Sequence, residues 1–365
     1  MLMLATRDNC ACAKCRNEDT NQRSFDTFDI DPDIRPAHAE GVGECLKITW
    51  SDQHESVFPV NTLDRYAFGD GEHETTAPSN LWGSVPGPSS MSYLSIDRDP
   101  KWMAKLTTLI KTNGFVFVCD TPYHSPEPTK QLLERIGPIR NTHYGGFYDF
   151  IPDLASADTA YTNLALAPHT DTTYFSDPAG LQAFHLLSHV PAPKIGGGET
   201  GADVEAASGG ESILVDGFKA SNILQREDYG SWLTLRSMAV RWHASGNEGI
   251  AVTPGQMRPV ILVRGKKLIQ IRWNNDDRGV VPLGNTWYKA ARKWDQILKR
   301  ENMQFKFQLK PGTVLIFNNW RVLHGRTAFT GTRRICGAYI SMDDFTSRWR
   351  TSNFSKEEVL AQVMG

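Results

Sequence analysis

The 365-residue chain has no apolar run approaching the ~20 residues that cross a bilayer, so its composition speaks against a helical membrane protein. It also lacks a charge excess. The 39 Lys and Arg against 41 Asp and Glu leave a formal net charge of -2, which removes any global electrostatic case for nucleic acid or an anionic membrane surface. No internal repeat is present. The opening MLMLATRDNC is too short and too polar for a secretory signal, and it lacks the Arg- and Ser-rich amphipathic pattern of a transit peptide. The cytoplasm is therefore the expected compartment, with the mitochondrial matrix as the alternative. Cysteine is scarce, six residues in all, and is not spaced as a disulfide framework. Cys10, Cys12 and Cys15 crowd together while Cys45, Cys119 and Cys336 are scattered. Such a tight cluster in a long chain points to metal binding.

What is present is the composition of a soluble globular protein, long enough for one large or two ordinary domains. Residues 1–70 read as a small strand-rich module. Leu46–Trp50 alternates as a strand, and Ser56–Val60 suggests a second one. Residues 71–90, rich in Gly, Pro, Ser and charge, read as a linker, and 91–365 as one larger domain. In that domain helices are expected at Trp102–Lys111 and Thr129–Ile136, with a buried strand from Gly114 to Val118. Short strands and turns follow, at 179–187, 212–216, 260–273, 312–317 and 334–341. Many short strands after a few helices predict a mainly β fold with flanking helices, built as a jelly-roll barrel. Gly196–Gly210 is low in complexity and reads as a flexible insertion. Ser355 and Glu358 have capping-box spacing for a final helix.

The sharpest local signal is His169-Thr170-Asp171. On a strand, residues i and i+2 share a face, so an imidazole and a carboxylate can reach one metal ion. The same spacing recurs at His38-Ala39-Glu40, where it carries no message by itself. A third ligand is available in His324, after the apolar strand Val314–Phe317. Two His and one carboxylate form the facial triad of non-haem Fe(II) oxygenases. A 2-oxoglutarate cosubstrate would need a cation for its distal carboxylate, and an Arg fork suits it. Arg333 follows His324 at the start of an expected strand, with Arg326 and Arg334 as competitors.

Several longer motifs match a known family: Tyr144-Gly145-Gly146, Ala165–Gly180, Leu214–Phe218, Arg272–Asn275 and Asn319–Gly331. Over nearly its whole length the chain resembles the gamma-butyrobetaine/trimethyllysine dioxygenase family. The resemblance implies a double-stranded β-helix core, Fe(II) held by His169, Asp171 and His324, and 2-oxoglutarate held by Arg333 with help from Arg326. It implies a structural zinc on Cys10, Cys12, Cys15 and His54, and thiolates with one imidazole do suit a closed tetrahedral site. It implies ascorbate as the reductant that keeps iron reduced, and it leaves a homodimer open. An aromatic cage for a trimethylammonium group falls on Tyr144, Tyr148, Tyr161 and Tyr339, since a quaternary ammonium is recognised by ring faces. Trimethyllysine also carries an α-ammonium beside its carboxylate. Asp158 is the candidate for the first, Asn274 and Asn275 for the second. Where several relatives carry Lys near the cosubstrate pocket, this chain has Ser188, and its Gly196–Gly210 loop is longer than theirs. The expected activity is hydroxylation of trimethyllysine. Gamma-butyrobetaine hydroxylation and a catalytically silent metabolite sensor are the competing readings.

Overall fold

The computed structural model describes residues 2–60, 63, 79–87, 89–151, 162–191, 207–246, 248–281 and 285–364. The chain forms two compact units, Met1–Thr76 with Phe354–Gly365, and Ala77–Asn353. Among the described residues no helix is long and apolar enough to cross a membrane.

The first unit is built on an antiparallel sheet of β1 (Pro36–Val42), β2 (Cys45–Trp50) and β3 (Glu55–Pro59), with short helices at Leu2–Asp8 and Lys356–Met364. Period-two alternation makes these strands half-buried: Ile48 and Trp50 on β2, and Ser56 and Phe58 on β3, turn inward. They form a small core with Ile30, Ile34, Cys10 and Cys15. β1, which the sequence did not announce, is exposed along its whole length. His38 and Glu40 lie on it 3.8 Å apart, and among the described residues no third ligand joins them.

In the second unit a six-stranded sheet runs in the order β4 (Ser90–Ser92), β5 (Phe115–Cys119), β13 (Val314–Asn318), β8 (Leu181–Val190), β15 (Thr332–Ile340), β6 (Tyr148–Phe150). A four-stranded sheet runs β12 (Phe305–Phe307), β9 (Ser212–Asp216), β14 (Val322–Arg326), β7 (Leu166–His169). Alternation again assigns the faces. Phe115, Leu315 and Phe317 join Leu214 and Val322 of the smaller sheet in one cluster between the sheets. Val116, Val118, Val314 and Ile316 face the helices Trp102–Asn113 and Glu127–Ile136. Two sheets sharing one apolar interior, with helices outside, match the expected mainly β class and are consistent with a jelly roll.

The second half departs from the expected run of strands and turns. Helices Gly217–Glu227, Tyr229–Ser237 and Asn285–Leu298 pack with five buried tryptophans, Trp232, Trp242, Trp273, Trp287 and Trp294, on Val215 and Leu323. The first of these helices has a legible start, because the Asp216 carboxylate accepts from the Phe218 and Lys219 amides as an N-cap. The expected strand 260–273 is a hairpin, β10 (Ile261–Arg264) and β11 (Lys267–Ile271), turned at Gly265 with φ +58. Part of the expected linker is interior: Trp82 is buried, and its Nε1 donates to the Asn113 carbonyl at 2.6 Å. Residues 71–78 and 88 of the expected linker, and residues 192–206 with most of the Gly196–Gly210 insertion, lie outside the described residues.

A buried ion pair ties these pieces together. Arg321 (1% exposed) and Asp216 (0%) meet through Nε–Oδ1 at 3.1 Å and Nη2–Oδ2 at 2.8 Å. Arg321 also donates to the carbonyls of Thr112 (2.8 Å) and Asn80 (2.6 Å), and Asp216 accepts from the Trp82 amide at 3.2 Å. Every charge is matched, so removing one partner strands the other. Arg321→Met is expected to cost about 3–5 kcal/mol of unfolding free energy in denaturant melts; a loss below 1 kcal/mol would show the pair to be dispensable.

His185 supplies a pH dependence. Its Nε2 accepts from the Gly312 amide at 3.1 Å, and its Nδ1 lies 2.7 Å from Thr129 Oγ1. Burial pushes its imidazole down to about 4. The folded value lies below the unfolded one of 6.5, so its contribution is complete above pH 6.5 and lost as pH falls through 4. Stability should drop by roughly 3 kcal/mol over that window through this group. His185→Leu should flatten that part of the curve in urea melts at stepped pH.

Candidate active site

β7 and β14 lie side by side, and their register sets His169 opposite His324. The two imidazoles are 4.3 Å apart between ring centroids. His169 Nδ1 is 2.8 Å from the Ala167 carbonyl, so Nδ1 carries the proton and Nε2 keeps a free lone pair toward the cavity. Asp171 completes the group: its Oδ1 is 3.2 Å from His169 Nε2 and 3.6 Å from His324 Nε2. Each of the three side chains offers one ligand atom, and these atoms lie within 4.8 Å of one another.

The reason Asp171 arrives there differs from the strand parity expected. β7 ends at His169, and the chain turns immediately after. Thr172 sits at φ +55, which a β-branched residue adopts only under constraint. The constraint is visible: Thr172 is buried and its Oγ1 accepts from the Ala179 amide at 2.8 Å. Asn319 closes the turn from the other side. Its Oδ1 accepts from the Asp171 amide at 2.8 Å, while its Nδ2 donates to the carbonyls of Asp171 (3.0 Å) and Ala179 (2.9 Å). Asp171 Oδ2 accepts from Gln182 Nε2 and from the Tyr339 hydroxyl, each at 2.6 Å.

The electrostatics favour the ligand form of His324 and Asp171. Burial and the neighbouring His169 push His324 down to about 3, leaving a neutral imidazole. Burial opposes ionisation of Asp171, but His324, His169 and Tyr339 outweigh it and hold the carboxyl well below its usual range. For His169 burial works against protonation, and the Asp171 carboxylate more than reverses it. Burial and the Asp171 charge push the Tyr339 hydroxyl well above the usual phenol range, so it remains a donor.

The cavity over these residues is lined by both expected Arg side chains. Arg333 is 2% exposed, and its Nε and Nη1 have no hydrogen-bond partner among the described residues. Its guanidinium lies over Phe329, 5.0 Å from the ring centroid. Gly210, at φ +71, makes room for it: a Cβ there would come within 2.5 Å of Nη1. Burial lowers Arg333 from its ordinary value, yet it stays cationic near neutral pH. Arg326 is spoken for, donating to the carbonyls of Thr162 and Leu164. Arg334 points the other way and pairs with Asp149 at 2.6 Å. Parity on β15 thus separates Arg333, inside, from its neighbour, outside. A buried guanidinium with unpaired donors suits a carboxylate ligand.

Tyr144, Tyr148, Tyr339 and Asn274 also line the cavity. Tyr148 donates its hydroxyl to the Ala183 carbonyl at 2.7 Å and meets Tyr339 edge-on at 5.9 Å. Asn275 is exposed and does not line it. Ser188 is opposite Arg334 in the β8–β15 pairing. Tyr161 and Asp158 lie outside the described residues. The sequence reading missed Tyr174, Gln182, Asp276, Asp277 and Asn319. Tyr174 and Asn319 fall inside motifs already singled out, whereas nothing local marked Gln182.

In the first unit Cys10, Cys12 and Cys15 converge on one imidazole nitrogen. Their sulfurs are 3.3, 3.6 and 3.5 Å from His54 Nε2. Burial and the neighbouring Cys10 push the Cys15 thiol up to about 12, and burial and Arg7 push His54 down. Crowded sulfurs that repel one another when ionised are a site a divalent cation would relieve.

Comparison with known proteins places the chain in a family. The Taurine catabolism dioxygenase TauD, TfdA family matches residues 77–339, and the Gamma-butyrobetaine hydroxylase-like, N-terminal family matches residues 3–64. A trimethyllysine dioxygenase of Neurospora crassa is 51% identical over 98% of this chain and 82% of its own length. The human mitochondrial trimethyllysine dioxygenase is 34% identical over 93% of this chain and 79% of its own. The human gamma-butyrobetaine dioxygenase is 25% identical over 94% and 89%. Among solved structures, a taurine dioxygenase from Burkholderia xenovorans superposes with a TM-score of 0.50 at 13% identity, covering 72% of this chain and 91% of that one. AAD-2 in complex with Mn(II) and N-oxalylglycine superposes at 0.52 and 10% identity, covering 71% and 97%. The chain belongs to the TauD/TfdA dioxygenase family and, within it, to the group of the trimethyllysine dioxygenases.

Proposed function

We propose that the chain catalyses the Fe(II)- and 2-oxoglutarate-dependent hydroxylation of trimethyllysine at carbon 3, an early step of carnitine synthesis. The observation that carries the reading is the convergence of His169, Asp171 and His324 beside a buried Arg333 whose Nε and Nη1 have no hydrogen-bond partner among the described residues. The choice of substrate is supported by identity, 51% to a trimethyllysine dioxygenase against 25% to a gamma-butyrobetaine dioxygenase.

The donor set fits the implied groups. Two neutral imidazole nitrogens and one carboxylate are the ligands non-haem Fe(II) takes, with room for further ligands. His169, Asp171 and His324 would hold the metal, and Arg333 the distal carboxylate of 2-oxoglutarate. When bound, these groups supply the oxidising power, drawn from O2 and the loss of CO2 from the oxo acid. Ascorbate would serve as the reductant that keeps the iron ferrous. The chain's own part is orientation and exclusion of water. Tyr144, Tyr148, Tyr339 and Tyr161 form the cage for the trimethylammonium group, each ring face contributing about 0.5–2 kcal/mol. Asp158 would take the α-ammonium and the cavity-lining Asn274 the carboxylate. Held at both ends, the substrate presents one C–H bond to the metal.

Cys10, Cys12, Cys15 and His54 would hold a structural zinc, since four protein ligands leave no open position for chemistry. Of the two expected compartments, the mitochondrial matrix is supported by the vertebrate relatives, which are mitochondrial.

Three outcomes test these assignments. Iron-loaded protein should form succinate with trimethyllysine far faster than with gamma-butyrobetaine; the reverse order would overturn the substrate. Asp171→Ala should abolish succinate formation and leave the circular dichroism spectrum unchanged; retained turnover would remove Asp171 from the iron site. Cys12→Ala should lower bound zinc, measured by elemental analysis, and lower the melting temperature before it changes turnover. Full zinc occupancy in that variant would count against the Cys cluster.

A further inference from the structure

We propose that Gln182 is a positioning residue that, with Tyr339, restricts Asp171 to binding the metal through a single oxygen. The inference rests on the reading that His169, Asp171 and His324 hold Fe(II).

Gln182 on β8 is paired with Tyr339 on β15, so the two side chains stand next to each other on the cavity side of the larger sheet. Both donate to the same atom, Asp171 Oδ2, at 2.6 Å each. The other oxygen, Oδ1, is the one that faces the two imidazole nitrogens, at 3.2 and 3.6 Å. A carboxylate oxygen has two lone-pair sites, and here both of those on Oδ2 are taken. An amide flip is excluded, because it would turn the Gln182 carbonyl against an ionised carboxylate.

The consequence concerns the number of open positions. A six-coordinate metal with two imidazoles and one carboxylate oxygen keeps three, which a chelating oxo acid and O2 fill. If Asp171 chelated through both oxygens, a bound oxo acid would close the last position. Holding Oδ2 on two donors keeps the carboxylate from turning.

A purely structural role for Gln182 fits poorly. The residue is 1% exposed, and its Oε1 is buried without a partner among the described residues. A buried, unpartnered carbonyl costs on the order of 1–3 kcal/mol, which an apolar side chain of similar size would not. An apolar side chain would avoid that cost but would take a donor from Asp171 Oδ2.

The test is an anaerobic Fe(II) titration of the full chain with 2-oxoglutarate present, following the visible charge-transfer absorption of the Fe(II)–oxo acid chelate. Gln182→Leu should raise the Fe(II) concentration at half-saturation by about 10–100-fold and shift the band. Tyr339→Phe, which keeps the ring, should shift both in the same direction, and it provides the reading if Gln182→Leu does not fold. An unchanged midpoint and band in a folded Gln182→Leu variant would overturn the proposal and leave Gln182 a packing residue. Asp171→Ala separates the two levels. If it retains the wild-type band, the iron site itself is misassigned. If it loses the band while the Gln182 and Tyr339 variants keep it, only the positioning role falls.

Discussion

Everything at the candidate site depends on the antiparallel pairing of Leu166–His169 with Val322–Arg326. Backbone hydrogen bonding between these two strands sets His169 against His324, so residues from opposite halves of the chain share one cavity. Side chains directly opposite on neighbouring strands come within a few ångströms of each other. The neighbouring strand Ser212–Asp216 pins Val322–Arg326 from the other side, with Leu214 opposite His324. A slip of one residue would turn His324 away from the cavity and Leu323 into it.

That register is held by forces acting outside the site. The apolar cluster between the sheets places Phe317 and Val322 at either end of the loop that precedes His324. Arg321 of this loop pairs without solvent with Asp216, which at the same time caps the helix Gly217–Glu227. A buried pair of this kind adds little net stability over an apolar replacement, but it is costly to break, so it enforces one arrangement. Asn319, two residues earlier, reaches across to the Asp171 turn. One short loop thereby sets His324, the start of a helix and the turn that presents Asp171.

The chemistry of the cavity follows from how little of its polarity is satisfied by protein. Asp171 spends one oxygen on Gln182 and Tyr339 and aims the other at two imidazoles. Among the described residues Arg333 Nε and Nη1 have no partner, and the guanidinium lies beside Phe329. Arg326, by contrast, is satisfied by the backbone carbonyls of Thr162 and Leu164. A folded chain leaves buried polar groups unpaired rarely, and among the described residues the Arg333 donors are unpaired where a carboxylate would complete them.

The sequence by itself determined which residues could ligate: the His169 and Asp171 spacing, the distant His324, the Cys10–Cys15 cluster, and the strands whose apolar alternation is local, such as Phe115–Cys119 and Ser212–Asp216. It favoured Arg333 but left Arg326 and Arg334 as competitors, because the choice depends on which face of one strand looks inward. Nor did it reveal the helices Gly217–Glu227, Tyr229–Ser237 and Asn285–Leu298, which pack with five buried tryptophans on Val215 and Leu323. Gln182 was invisible for the same reason, since an amide on an apolar strand has no meaning until Asp171 lies 2.6 Å from it. Ligand type is a property of single residues and short spacings, and it can be read along the chain. Partner, face and register are pairwise properties of residues distant in sequence, and only the tertiary structure decided them.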